Sequence, residues 1–217
     1  MYANAPPDVG DAWGAGDVRR DTVLDMTLQE LLTSDRKVLF IDGAMGTQLG
    51  EAGLDMGGPN SVTHPEAVLT IHREYAVSGI DLLITNTLTM NRVFLETHNV
   101  GVDVREVNLA GARLAREAAG EGQFVLGDMS STGKMLKPYG QLVESDACAA
   151  FKEQAGILAE GGVDGFIVET MIDLREALCA VRAVKEVSDL PVLATISFNT
   201  AKNGGRTIMG DAARDCA

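Results

Sequence analysis

Two acids in this chain stand where apolar runs end. Asp42 follows Val38-Leu39-Phe40-Ile41 and opens the segment Asp42-Gly43-Ala44-Met45-Gly46-Thr47, while Glu169 closes the run Gly165-Phe166-Ile167-Val168. An apolar run that finishes in an acid places a carboxylate at the carboxyl end of a strand, where parallel α/β folds keep their active sites. Two carboxylates facing one partly desolvated pocket suit an ammonium group, because opposite charges offset each other's loss of water. An α-amino acid is therefore a natural ligand. Its own carboxylate needs donors, and the backbone N–H groups of Gly43 to Thr47 could form an anion-binding nest, with Gly43 and Gly46 allowing a tight turn and close approach. Paired acid–base catalysis ranks second, since no histidine or lysine joins the acids at a strand end. Taken alone, an Asp-Gly pair could simply cap the following helical turn.

The elements that would hold these groups alternate. Thr27-Leu28-Gln29-Glu30 has the spacing of a capping box, which predicts a short helix before the first strand, closing the bottom of a barrel. Helices are expected over 65–78, 104–119, 146–160 and from Asp173 and Glu176 to about Val187; strands are expected at 38–41, 81–85, 124–126, 165–168 and 191–196. The strands are short, nearly continuous apolar runs, as in a parallel sheet buried on both faces. Each ends in a polar cluster: Asp42, then Thr85-Asn86-Thr87, Asp128 to Ser131, Glu169-Thr170, and Ser197 with Asn199. The fold class expected is α/β, a (β/α)8 TIM barrel that is incomplete. An eightfold barrel takes about 250 residues, and five βα units occupy nearly all of the 217 here. Residues 207–217 begin what reads as a fifth helix. A complete five-stranded doubly wound domain is the alternative.

Composition narrows the class. Hydrophobic residues make up 46% and aromatics 5%, which fits one α/β domain, and the net charge of -13, from 31 acidic and 18 basic residues, disfavours nucleic acid and anionic membrane surfaces as partners. No apolar run is long enough to span a bilayer. Residues 1–24 read as a disordered leader and 25–217 as the barrel portion. Cys148, Cys179 and Cys216 are odd in number and widely spaced, which predicts free thiols in a reducing cytoplasm, the first two as small buried hydrophobes. His64, His72 and His98 read as structural or solvated, and Met45, Met90, Met129, Met135 and Met171 as core filling or the apolar lining of a pocket.

The segments Asp42-Gly-Ala-Met-Gly-Thr47, Gly79-Ile-Asp-Leu-Leu-Ile-Thr-Asn-Thr87, Gly127-Asp-Met-Ser-Ser-Thr-Gly133, Gly161-Gly-Val-Asp-Gly-Phe-Ile-Val-Glu-Thr170 and Gly204-Gly-Arg-Thr-Ile-Met-Gly210 together resemble, in order, the homocysteine methyltransferase barrel of cobalamin-dependent methionine synthases. The resemblance covers about residues 25 to 217 and implies methyl transfer to the sulfur of homocysteine, giving methionine. It implies methylcobalamin as donor, and cobalamin and folate modules on the same or another chain. It also implies that Asp42 and Glu169 bind the amino acid, with Gly43, Ala44, Met45, Asn86 and Thr87 around it, although Leu88 stands where the family commonly has an aromatic residue. A family zinc ion would ionise the thiol, because the thiolate is the nucleophile. The zinc cysteines follow the sixth and eighth strands in that family, so those ligands are expected to be absent from this chain.

Two rival readings stay open. One is a non-catalytic half-barrel that binds a partner and oligomerises through its unpaired edges. The other is a barrel lyase or aldolase, which would need a Schiff-base lysine or a metal; Lys134 and Lys137 sit in a Gly- and Pro-containing loop, poorly placed for that role.

Overall fold

A computed structural model describes residues 26–35, 38–199 and 204–217. The expected leader, 1–24, lies outside the described residues. Four parallel strands form one sheet in sequential order: β1 (Leu82–Ile84), β2 (Phe124–Met129), β3 (Gly165–Met171) and β4 (Val192–Ile196). The expected first strand at 38–41 is reduced to a single parallel bridge, Ile41 to Leu82, flanked by bonds from Leu82 N to Phe40 O and from Asp42 N to Leu82 O. Five parallel segments thus run side by side without the reversal of order that marks a doubly wound sheet.

Helices connect them. α1 (Leu28–Leu32) has both halves of its capping box, with Thr27 and Glu30 exchanging bonds. α4 (Pro65–Val77), α6 (Val104–Ala118), α7 (Glu144–Glu160) and α8 (Leu174–Val187) match the expected helices to within about two residues at each end. Three further short helices, α2 (Met45–Glu51), α3 (Asn60–Thr63) and α5 (Arg92–Thr97), fill the βα loops. The expected fifth long helix is a turn over 207–212, pinned by bridges from Arg206 to Asn199 and Ala212, and then α9 (Ala213–Cys216).

The two faces of the sheet do different things, because side chains alternate along each strand. Leu83, Val125, Met129, Phe166 and Val168 point into the large core shared with α6, α7 and α8. Leu82, Phe124, Leu126 and Ile167 occupy the other face, where α1 covers them with Leu28 and Leu31. A Cβ at Gly165 would lie 2.5 Å from Leu28, so the approach of α1 requires glycine there. This places α1 against the amino-terminal half of the inner face and leaves the carboxyl ends for chemistry.

The structure corrects the cysteine expectation. Cys148 on α7 and Cys179 on α8 are joined as a disulfide, with Cα atoms 4.9 Å apart, since the two helices pack side by side and bring positions 31 residues apart into register. Cys179 is fully buried as expected, and Cys216 is free. Met90, Met129 and Met171 are core residues. His72 is buried with both ring nitrogens unpartnered, and burial lowers it to about 4, so it is a neutral core residue at physiological pH.

Glu176 is 2% exposed and anchors the loop after β2: it accepts from Ser131 Oγ at 2.9 Å, Thr132 N at 2.8 Å and Thr132 Oγ1 at 2.6 Å. Three donors converge on one buried carboxylate. Glu176→Ala should lower unfolding free energy by on the order of 3 kcal/mol in urea titration, with Glu176→Gln losing less; a loss below about 0.5 kcal/mol would show that water replaces the carboxylate.

Candidate functional site: a carboxylate cluster at the strand ends

The chain leaves β1 through Thr85-Asn86-Thr87, and two hydroxyls continue the sheet where its ladder stops. Asp128 N donates to Thr85 Oγ1 at 2.9 Å, Thr87 Oγ1 donates to the Asp128 carbonyl at 2.8 Å, and the two threonine oxygens lie 2.6 Å apart. With the Thr87 proton spent on Asp128, Thr85 donates to Thr87 and the ring closes. It clamps the backbone of Asp128 from both sides. Gln154 on α7 donates to the Thr87 carbonyl at 2.9 Å and closes the ring from behind.

Asp128 follows Leu126 by two residues and shares its face, away from the α6–α8 core. Glu169 follows Ile167 by two on the neighbouring strand and reaches the same place. It sits in an irregular stretch: the β3–β4 register shifts between Val168 and Met171, and Thr170 has φ of 56°, a left-handed conformation that a β-branched residue adopts at a cost. Side chains hold this bulge on both sides, with Ser130 Oγ donating to the Glu169 carbonyl at 2.7 Å and Thr170 N donating to Thr195 Oγ1 at 2.7 Å. A bulge re-aims the side chains beside it.

Asp42 arrives from the first segment. Its Oδ2 accepts the Ile84 N–H at 3.0 Å, and its Oδ1 is buried with no partner. Three acids therefore come together at the carboxyl ends of the first segment, β2 and β3, with β1 lying between the first segment and β2. Burial, and then the repulsion of Glu169, raises Asp42 to about 7, against the opposing bond from Ile84. Burial first, then Glu169 and Asp42, push Asp128 well above the usual carboxylate range.

The remaining expected residues are distributed around this cluster. Gly43 and Ala44 are exposed beside Asp42, and α2 starts at Met45 with no side chain capping its first turn. The Met45 side chain packs into the small core of Leu49, Val68 and Leu69. Asn86 turns away from the acids, donating to Gly57 O at 3.2 Å and Ser61 Oγ at 3.3 Å, and Thr87 is spent in the threonine ring. Both hold the wall of the site through bonds that are already made. Leu88 is exposed.

Two residues were not singled out from sequence as part of the site. Asp128 was visible as an acid ending an apolar run, but its convergence with Glu169 depends on sheet register. Tyr75, on α4, brings its hydroxyl to 2.9 Å from where a Cβ on Gly43 would stand, and its phenol is raised by burial and then by Asp42. Cavities of about 340 and 380 Å³ lie elsewhere, beside α3, α4 and α6 and along the 53–64 turn, and neither is lined by the acids.

Among the described residues no group of three His, Cys, Asp or Glu is arranged to hold a metal. Cys148 and Cys179 are bonded to each other between outer helices, so these residues do not fit a thiolate zinc site.

Fold and site together define a parallel βα-repeat protein with an acidic cluster at its strand ends. The model of the homocysteine S-methyltransferase family matches residues 39–217, and the chain belongs to that family. It is 32% identical over 190 residues to a methionine synthase of Mycobacterium leprae (strain TN), covering 78% of this chain, and 32% identical over 196 residues to that of Mycobacterium tuberculosis (strain ATCC 25618 / H37Rv), covering 81%. The matches span 16% of the length of each relative. In fold it is similar to the metallated form of the homocysteine methyltransferase MmuM from Escherichia coli, with a TM-score of 0.68 at 20% identity over 86% of this chain and 71% of that one. The oxidized form gives 0.69 over 87% and 70%.

Two outcomes follow from the geometry. Because Asp42 is raised from 3.8 to about 7, the fold favours its protonated form, and that contribution is lost as pH rises from about 4 through 7. Asp42→Asn should flatten this part of the stability profile and leave the variant more stable than the parent above pH 7, by on the order of 4 kcal/mol in chemical denaturation. An unchanged profile would mean Asp42 is solvated. Gly43→Ala should cost about 1–3 kcal/mol through its contact with Tyr75, and Tyr75→Phe in the same chain should recover part of the loss; strictly additive effects would place the clash elsewhere.

Proposed function

We propose that the carboxylate cluster binds the ammonium group of L-homocysteine as the acceptor in methyl transfer that forms methionine. The observation carrying this reading is the buried, unpartnered Oδ1 of Asp42, beside Glu169 in a cluster of acids. An ammonium brings N–H donors and a positive charge to that place. Asp42 and Glu169 are its direct partners, and the amino acid's carboxylate lies against the uncapped backbone at Gly43, Ala44 and Met45, with Asn86 and Thr87 shaping the wall. Membership of the homocysteine S-methyltransferase family supports the choice of ligand.

On this reading the described residues bind and orient the amino acid, and the zinc that ionises its thiol is held by residues outside them, in a barrel of which about five βα units are seen here. The sheet edges support a continuation: Phe40 is 60% exposed on one side, and Ala194 and Thr195 on β4 are exposed on the other. The methyl donor is methylcobalamin, with cobalamin and folate modules as partners, as the resemblance of the sequence motifs to cobalamin-dependent methionine synthases implies. No helix of the described residues is long and apolar enough to cross a membrane. The same open edges favour a second reading, a non-catalytic half-barrel that pairs with a protein partner.

Calorimetric titration separates the two. L-Homocysteine should bind, its analogue lacking the amino group should not, and Glu169→Gln or Asp42→Asn should weaken binding by roughly tenfold or more. Equal affinity for the analogue, or unchanged affinity in Asp42→Asn, would remove the ammonium clamp, and a self-associating chain with no amino acid affinity would favour the second reading.

A further inference from the structure

Asp128 is 4% exposed, and its Oδ1 is buried with no donor aimed at it. Its backbone is held on both sides by the Thr85–Thr87 ring, which fixes where the side chain leaves the strand. The charged groups that face it are both acids, Glu169 on β3 and Asp42 from the first segment; α7, behind it, contributes the uncharged amide of Gln154, 3.5 Å from its carbonyl. Asp128 pairs with Ile167 across β2 and β3, and Glu169 stands two residues further along the same face, so the two side chains are diagonal neighbours. Two carboxyls this close are favoured to share one proton, because like charges repel strongly in a desolvated site.

We propose that Asp128 is a positioning residue that carries a proton and donates it in a hydrogen bond to Glu169, fixing the Glu169 carboxylate toward the ligand while keeping the three acids from bearing three charges. The inference deepens the amino acid reading and rests on it for the identity of the ligand. The charge count explains why a third acid is useful. One ammonium offsets one negative charge, and Asp42 with Glu169 already supplies two; a third carboxylate in its ionised form would only add repulsion, whereas in its acid form it supplies the donor that orients its neighbour. The direction of its titration agrees, since burial and both neighbouring acids favour the protonated form. Asp42 and Asp128 thus play opposite parts: Asp42 ionises to receive the ammonium, and Asp128 stays neutral throughout.

Infrared difference spectroscopy of the whole chain tests this without ligand. At about pH 8, where Asp42 is mostly ionised, a carbonyl stretch of a protonated carboxylic acid should persist, survive in Asp42→Asn and vanish in Asp128→Asn. Titration with L-homocysteine should then show Asp128→Ala weakening binding at least tenfold more than Asp128→Asn, because the asparagine amide replaces the O–H donor to Glu169. Absence of the acid band in the parent chain would overturn the proposal, as would equal losses in the Ala and Asn variants, the mark of a merely structural role. A chain that shows the band but binds no amino acid would retain the Asp128 assignment and sink the ligand assignment instead.

Discussion

Everything at the strand ends depends on how costly it is to bury several carboxylates together with no cation. Asp42, Asp128 and Glu169 come from the ends of the first segment, β2 and β3 of one parallel sheet, so the backbone brings all three to one end of it. Removing a carboxylate from water costs several kcal/mol unless it is paired. Here the fold meets that cost partly by bonding, as at Asp42 Oδ2, and partly through the protonated form, which burial favours at Asp42 and Asp128. Glu176 is the instructive contrast. It is as deep as Asp128, but three donors surround it, and it acts as a structural anchor for the loop beside the site.

The scaffold around the acids is stiffer than a loop region needs to be. Threonine hydroxyls extend the β1–β2 pairing beyond the last ladder bond, and Ser130 and Thr195 grip the irregular stretch that carries Glu169. Thr170 in a left-handed conformation is part of the same arrangement: the strain is local, adjacent to Glu169, and held by neighbours on both sides. Binding groups fixed in this way lose little freedom when a ligand arrives.

Periodicity made most of the scaffold legible. α4, α6, α7 and α8 present apolar stripes and clear caps, and β2 to β4 are apolar runs, so their positions follow from sequence. The failures have physical reasons. Val38 to Ile41 reads as a strand, yet only Ile41 is bridged, and Phe40 is left largely exposed. The helices α2, α3 and α5 span four to seven residues, too few for a periodic signal, although Asn91 capping Phe94 N was a readable start for α5. Cys148 and Cys179 meet because α7 and α8 are adjacent, a tertiary fact no spacing rule contains. The acids at 42 and 169 were visible as the ends of apolar runs; that Asp128 completes them, and that Asn86 and Thr87 spend their side chains on the wall, depends on register and on which way each side chain turns.

A lysine or arginine among these acids would have solved the burial problem in a different way, by permanent pairing, and would also have removed the reason for a ligand to bind. Proton occupancy is a reversible substitute. At a pH equal to its pKa an acid is already ionised in half of the molecules, so recruiting Asp42 to an ammonium at about pH 7 reduces apparent affinity only about twofold, or ~0.4 kcal/mol. Displacing a buried, well-bonded cation would cost several times more. The cluster thus keeps an unpartnered carboxylate oxygen at Asp42, while the raised titration of that acid lets the chain fold with it protonated.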